Sequence, residues 1–227
     1  MKKIVIKLTG HLFKCLSIDP MLYKIADFIK EDYQRNHRIY YLVVGGGEYA
    51  RILIENLRKQ GVNERLLDEI GIGVTRIHAQ YITYLLRPHV HEKIPTTIEE
   101  AVELDRSQNL NMVMGGLKPG FSTNAVSVML AKAVDADLLI TMSRGGGLFT
   151  SDPLVNPDAR LIKKIHINDI VNYLAISRER AGSYPLLDST SIELLKKYRI
   201  PTYITSPDIK NLKLILDGKN PGTVIIY

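Results

Sequence analysis

Ile39-Tyr40-Tyr41-Leu42-Val43-Val44-Gly45-Gly46-Gly47-Glu48-Tyr49-Ala50-Arg51 is the stretch that decides the fold. Its first six residues are an unbroken apolar run, the pattern of a fully buried strand. Three glycines follow, and the amphipathic residues from Glu48 to Gln60 then read as a helix. Glycines at a strand-to-helix junction let backbone approach a ligand closely, and the exposed amides of a helix start attract anions. Arg51 adds a fixed positive charge suited to phosphate. One glycine would satisfy a tight turn; three with an arginine favour a phosphate site over a plain turn. The spacing fits neither the Walker loop nor the dinucleotide fingerprint.

Upstream, Ile4-Val5-Ile6 reads as a strand closed by Lys7-Leu8-Thr9-Gly10. Lys7 there is placed to meet a phosphate, although a lone strand-end lysine is more often merely solvated. Asp19-Pro20 supplies an N-cap with proline at the first helical position, opening a helix over 20–35. Leu22, Ile25, Ala26 and Ile29 form its buried face.

Downstream, 63–87 reads as mostly helical and is stopped by Pro88. Gly71 and Gly73 within it cost about 1 kcal/mol each against alanine, which predicts a kink or room for a ligand. His89-Val90-His91 has no third ligand nearby, so a structural role is favoured over a metal site. Thr97 and Glu100 form a capping box opening a helix to about Ser107. Leu110 to Met114 is a strand running into Gly115-Gly116-Leu117-Lys118-Pro119-Gly120-Phe121-Ser122-Thr123-Asn124, with Ser122 or Thr123 as the cap of the next helix. Asp137 to Met142 is a further strand, followed by Ser143-Arg144-Gly145-Gly146-Gly147-Leu148-Phe149. Turns at Asp152-Pro153 and Asn156-Pro157 follow, then a helix capped by Asn168 or Asp169 and weak periodicity over 176–187. Thr190 to Lys197 is a helix, Pro201 to Thr205 a strand, Ser206-Pro207 the cap of another helix, and Thr223 to Ile226 a last strand. Three glycine-rich junctions after three strands exceed what turn chemistry needs. In open α/β sheets, ligands gather at the carboxyl ends of strands, and a nucleotide-sized ligand fits. The alternation predicts a mainly parallel sheet covered on both faces.

The chain has 227 residues, 45% apolar and 24% charged, enough for one large α/β domain or two tightly joined lobes meeting near residue 136. Its net charge of +6 favours anionic partners. No basic block supports nucleic acid, so phosphorylated metabolites are the better match. The single Cys15 excludes an intrachain disulfide. No apolar run approaches a membrane span or a signal-peptide core, so a cytoplasmic setting is expected.

These junctions together resemble the amino-acid-kinase superfamily, most closely its archaeal-type uridylate (UMP) kinases. The matching stretches are Lys7 to Gly10, Val43 to Arg51, Leu67 to Ile72, Thr75 to Ala79, Gly115 to Thr123 and Asp152-Pro153, with a weaker echo in Ala181 to Tyr184 and Leu187-Asp188. The resemblance implies a three-layer αβα sandwich with a central, mainly parallel sheet of about eight strands. It implies an acceptor-binding lobe over about 1–136 and an ATP-binding lobe over about 137–227. The implied activity is Mg2+-dependent transfer of the ATP γ-phosphate to UMP, in a homohexamer, without nucleic-acid or membrane partners. Lys7 and Asn124 take the catalytic positions. Lys7, Thr9, Gly10, Gly47, Arg51, Ser143, Arg144, Phe149 and Asp152 take the ATP-binding ones. Gly46, Asp68, Gly116, Lys118, Pro119, Gly120, Phe121, Ser122 and Thr123 take the UMP-binding ones, and Arg51 is also implied at the UMP phosphate. No protein residue is implied as a metal ligand.

The chain departs from the family mainly on the donor side. Where members usually read Thr-Asn-Val-Asp-Gly-Val-Tyr, it reads Ser143 to Phe149, with Arg144 and Gly146 in place of asparagine and aspartate. Asn124 stands where aspartate is common, His11 where lysine is, His78 where asparagine is, and Pro185 where glutamate is. A catalytically impaired nucleotide-binding homologue with a regulatory or storage role is therefore the alternative. A kinase for another small acceptor is a third reading.

Overall fold

The computed structural model describes residues 1–151, 156–174 and 186–227. Asp152, Pro153 and the 176–185 stretch, including Pro185, lie outside these. The strands are β1 (Lys3–Leu8), β2 (Phe13–Lys14), β3 (Ser17–Ile18), β4 (Ile39–Val44), β5 (Met112–Met114), β6 (Leu138–Met142), β7 (Lys164–His166), β8 (Thr202–Thr205) and β9 (Thr223–Ile226). The helices are α1 (Pro20–Asn36), α2 (Gly47–Lys59), α3 (Glu64–Leu86), α4 (Ile98–Ser107), α5 (Thr123–Ala133), α6 (Ile170–Leu174), α7 (Ser189–Tyr198) and α8 (Ile209–Leu216).

All six residues of β4 are buried, which is what an apolar run without alternation requires of a strand covered on both faces. The central sheet has seven strands in the order β5-β4-β1-β6-β8-β9-β7, with β2 and β3 forming a separate hairpin. Pairing is parallel apart from β8 against β9. Alternate residues feed two cores. Val5, Tyr41, Val43 and Leu139 pack with α4, α5 and α7. Ile4, Ile6, Tyr40, Leu42 and Ile140 pack with α1, α3 and α8. The result is the expected αβα sandwich.

Three local expectations need correction. Helix α3 runs unbroken through Gly71 and Gly73. A Cβ on Gly73 would meet nothing within 4 Å, so that glycine neither breaks the helix nor makes room for a packed neighbour. Helix α8 is capped by Asp208, whose Oδ1 accepts from the Lys210 amide at 2.7 Å, while the Ser206 hydroxyl accepts from Asn211 instead. The Thr97 cap holds, accepting from the Glu100 amide at 3.1 Å, but the Glu100 carboxylate accepts from the amide of Thr96 at 2.7 Å and not from that of Thr97. His89 and His91 serve structure: His89 meets Gln34 at 2.8 Å, and His91 Nε2 lies 3.3 Å from the Gln108 carbonyl.

Candidate active site

Strands β1 and β4 run parallel with Lys7 opposite Val43 and Leu8 opposite Val44, so the turns that follow them lie side by side. Backbone meets backbone there. A Cβ on Gly10 would fall under 3.0 Å from atoms of Gly47, and one on Gly47 would do the same against Gly10. Gly47 also has φ +63°, a conformation glycine adopts without strain. Helix α2 starts at this junction with no side chain capping its first amides. Unfilled amides and the positive end of the helix favour an anion.

Helix α3 braces both glycine loops. Its buried His78 stacks on Phe13 at 3.8 Å between ring centroids, with Nδ1 3.0 Å from the Gly45 carbonyl oxygen. A carbonyl only accepts, so Nδ1 carries the proton and donates. Burial holds this ring below the usual histidine range, which favours its neutral form. Thr75 Oγ donates to Ile72 O at 2.7 Å and accepts from the Gly116 amide at 2.7 Å. A Cβ on Gly115 would fall 2.6 Å from that hydroxyl. Asp68 Oδ2 accepts from the Gly120 amide at 2.9 Å, and Arg76 donates to Leu117 O at 3.0 Å. The 115–123 loop is thus tied to α3 at three points. Lys118 lies over the Phe121 ring, 5.3 Å from its centroid. Ser122 caps α5 through the Ala125 amide at 3.1 Å and donates to Asp188. Thr123 opens α5, and Asn124 behind it is buried with its Oδ1 unpartnered.

On the other side of β1, Lys7 lies opposite Thr141 of β6. Burial brings the Lys7 ammonium down to about 8, opposed by the charge of Asp188. After β6, the Ser143 amide donates to Thr205 O at 2.8 Å, and the Gly146 amide closes a turn onto Ser143 O at 3.2 Å. Gly146 has φ +74°. A Cβ on Gly147 would sit 2.5 Å from Leu161 Cδ1 and 2.9 Å from Thr223 Oγ1. This glycine run is therefore explained by turn geometry and close packing. Arg144 stands exposed on the turn, the Ser143 hydroxyl is buried without a partner, and Phe149 bridges to Leu161. His11 is held below its usual range first by burial and then by Arg144, Arg51 and Lys7, with Glu48 opposing. Its Nδ1 lies 3.0 Å from Thr9 Oγ1.

The structure thus gathers Lys7, Thr9, Gly10, Gly46, Gly47, Arg51, Gly116, Asn124, Ser143 and Arg144 at the carboxyl ends of β1, β4, β5 and β6, where open α/β sheets bind ligands. Lys118, Pro119, Gly120, Phe121, Ser122 and Thr123 complete the loop after β5, which Asp68 anchors. Asp152 lies outside the described residues. Thr75 and Asp188 were not singled out for the site by the sequence. Asp188 carries two readable signals, its place in the Leu187-Asp188 echo of the family and an acidic residue just before a helix. Among the described residues, no three His, Cys, Asp or Glu side chains are grouped to hold a metal ion.

A mainly parallel sheet with opposed glycine loops, a lysine at the end of an interior strand and cations around it defines a protein that handles phosphoryl groups. The chain belongs to the amino acid kinase family, whose model matches residues 2–206. It is 33% identical over 225 residues to the uridylate kinase of Methanobrevibacter smithii, covering 99% of each chain. It is 34% identical over 224 residues to that of Methanothermobacter thermautotrophicus, covering 98% of this chain and 99% of that one. The crystal structure of uridylate kinase from Archaeoglobus fulgidus superposes with a TM-score of 0.86 at 28% identity, covering 99% of this chain and 100% of that one.

Proposed function

We propose that this chain is a uridylate kinase, transferring the γ-phosphate of ATP to UMP to give UDP in pyrimidine nucleotide biosynthesis. The observation that carries the reading is the meeting of Lys7 with two glycine loops packed backbone against backbone. In the transfer, an oxygen of the UMP phosphate forms a bond to the γ-phosphorus. The bond to the β–γ bridging oxygen breaks, and ADP leaves with the electron pair. Such a reaction asks the protein mainly for alignment and for positive charge around the moving group.

Lys7 and the amides at Gly10 and Gly47 supply that charge, with Arg51 beside them on α2. Gly46, Asp68 and the 116–123 loop hold UMP, Asp68 by keeping the loop in place. Thr9, Ser143, Arg144 and Phe149 line the ATP side, and Asn124 adjoins the reacting groups. The two lobes divide near residue 136. Mg2+ is assigned to the ATP phosphates, and no residue of the chain is assigned to hold it. The enzyme is cytoplasmic and assembles as a homohexamer. No described helix is long and apolar enough to cross a membrane. The relatives give no support to a non-catalytic homologue.

The test is product formation by purified protein with ATP, Mg2+ and a panel of nucleoside monophosphates. Conversion of UMP in preference to the others is expected. Binding of UMP by calorimetry with no conversion of any acceptor would overturn the reading.

A further inference from the structure

His78, on the buried face of α3, reaches both of the turns that meet at the ends of β1 and β4. Its Nδ1 donates to the Gly45 carbonyl at 3.0 Å, two residues ahead of Gly47. Its ring lies flat on that of Phe13, with centroids 3.8 Å apart and planes within 9°. Phe13 belongs to the turn after β1, where its amide donates to the Gly10 carbonyl. The Phe13 carbonyl also backs Gly47, lying 3.1 Å from where a Cβ on that glycine would sit.

The two turns need such a brace. Gly10, Gly45 and Gly47 carry no side chains that could lock one turn to the other, and glycine leaves the backbone free to move. Where the strands end, the Gly45 amide donates to Leu8 O at 3.3 Å, longer than an ordinary amide bond. Gly45 is buried, so losing the His78 donor would strand its carbonyl inside the protein. Three residues earlier on α3, Thr75 accepts from the Gly116 amide at 2.7 Å and so serves the other loop. One helix thus holds the two loops through separate side chains.

We propose that His78 is a positioning residue for phosphoryl transfer: it clamps the turn after β4 to the turn after β1 and so sets the Gly10 and Gly47 amides around the moving phosphate. The inference rests on the phosphoryl-transfer reading above. The clamp has two parts, an N–H on the atom bonded to Cγ and a flat aromatic face. Asparagine keeps the first, because its amide nitrogen is also bonded to Cγ, and phenylalanine keeps the second.

The test compares His78→Phe, His78→Asn and Phe13→Leu. In His78→Phe, kcat should fall about tenfold or more, because a shift of about 1 Å in aligned groups costs up to about a hundredfold. KM for UMP should stay within about twofold, since Asp68, Thr75 and Arg76 hold the acceptor loop without His78. His78→Asn should bring kcat back to within about threefold of wild type, the scale of the lost ring contact. Phe13→Leu keeps the donor and should lower kcat by about threefold or more for the same reason. In backbone-amide NMR, the Gly10 and Gly47 signals should move in His78→Phe and return in His78→Asn, and wild-type His78 should show the neutral Nδ1–H tautomer. An unchanged kcat in either His78→Phe or Phe13→Leu overturns the proposal. So does His78→Asn performing no better than His78→Phe, which marks mere filling of the core. If the wild-type protein converts no acceptor, the function fails, but the glycine amide signals and the tautomer still decide the role of His78.

Discussion

Lys7 carries a conflict that can be measured. A charge at a buried strand end is costly, and burial outweighs the help from Asp188, so the ammonium sits at about 8 in the folded chain against 10.5 in an exposed lysine. Between those values the unfolded state binds more protons, and stability rises with pH through that window. Lys7→Met removes both the cost and the charge proposed to act in transfer. Thermal melts should find it more stable than wild type at pH 7, with the advantage shrinking as pH rises from about 8 to 10.5. Transfer should meanwhile fall by about a hundredfold or more, the scale of losing one electrostatic donor at a reacting centre. Near-normal turnover in Lys7→Met would remove Lys7 from its assigned role. Part of this was readable beforehand. Lys7 beside a glycine turn points to phosphate, whereas Asp188 meets Ser122 across 66 residues of chain, a separation no local pattern spans.

Among the elements, the glycine loops separate into those that packing demands and those it does not. Gly10 and Gly47 leave no space for a Cβ, and Gly47 adds a positive φ. Gly10→Ala or Gly47→Ala should cost about 1–3 kcal/mol through overpacking, with the strained backbone adding to the second. Either change also pushes apart the two turns that frame the anion site, so kcat should drop along with the melting temperature. Gly73→Ala is the control. It has open space around it inside α3, and should stabilise the chain by up to about 1 kcal/mol with activity unchanged. Equal effects at all three sites, read by chemical denaturation, would contradict this division. Helices with strong punctuation were legible in the sequence: Asp19 caps α1 by accepting from the Met21 amide at 3.0 Å, just ahead of Pro20. Strand β7 was not, because it has three residues with only the middle one buried, too few for an alternation to stand out. The cap of α8 was misplaced because Ser206-Pro207 and Asp208 are adjacent candidates, and only the geometry shows the acidic oxygen on the Lys210 amide.

At the scale of the whole molecule, β1 lies inside the sheet with β4 and β5 on one side and β6, β8, β9 and β7 on the other. One side carries the glycine loops braced by α3, and the other ends in the turn bearing Arg144. Reach divides accordingly. Arg144 is exposed, and its charge acts on His11 more strongly than those of Arg51 and Lys7 do. On the proposed assignment, a cation so placed faces the phosphate chain of a donor bound across the end of β1, while the acceptor is held on the far side by residues tied to α3. Arg144→Asn removes that charge without disturbing Gly146, whose positive φ would strain any other side chain there. Steady-state kinetics should show KM for ATP raised about five- to tenfold, the scale of a partly exposed ionic hydrogen bond. KM for UMP should stay within about twofold, because Asp68, Thr75 and Arg76 hold the acceptor loop independently of this turn. A change confined to UMP would place the donor on the other side of the sheet and reverse the assignment of the two lobes.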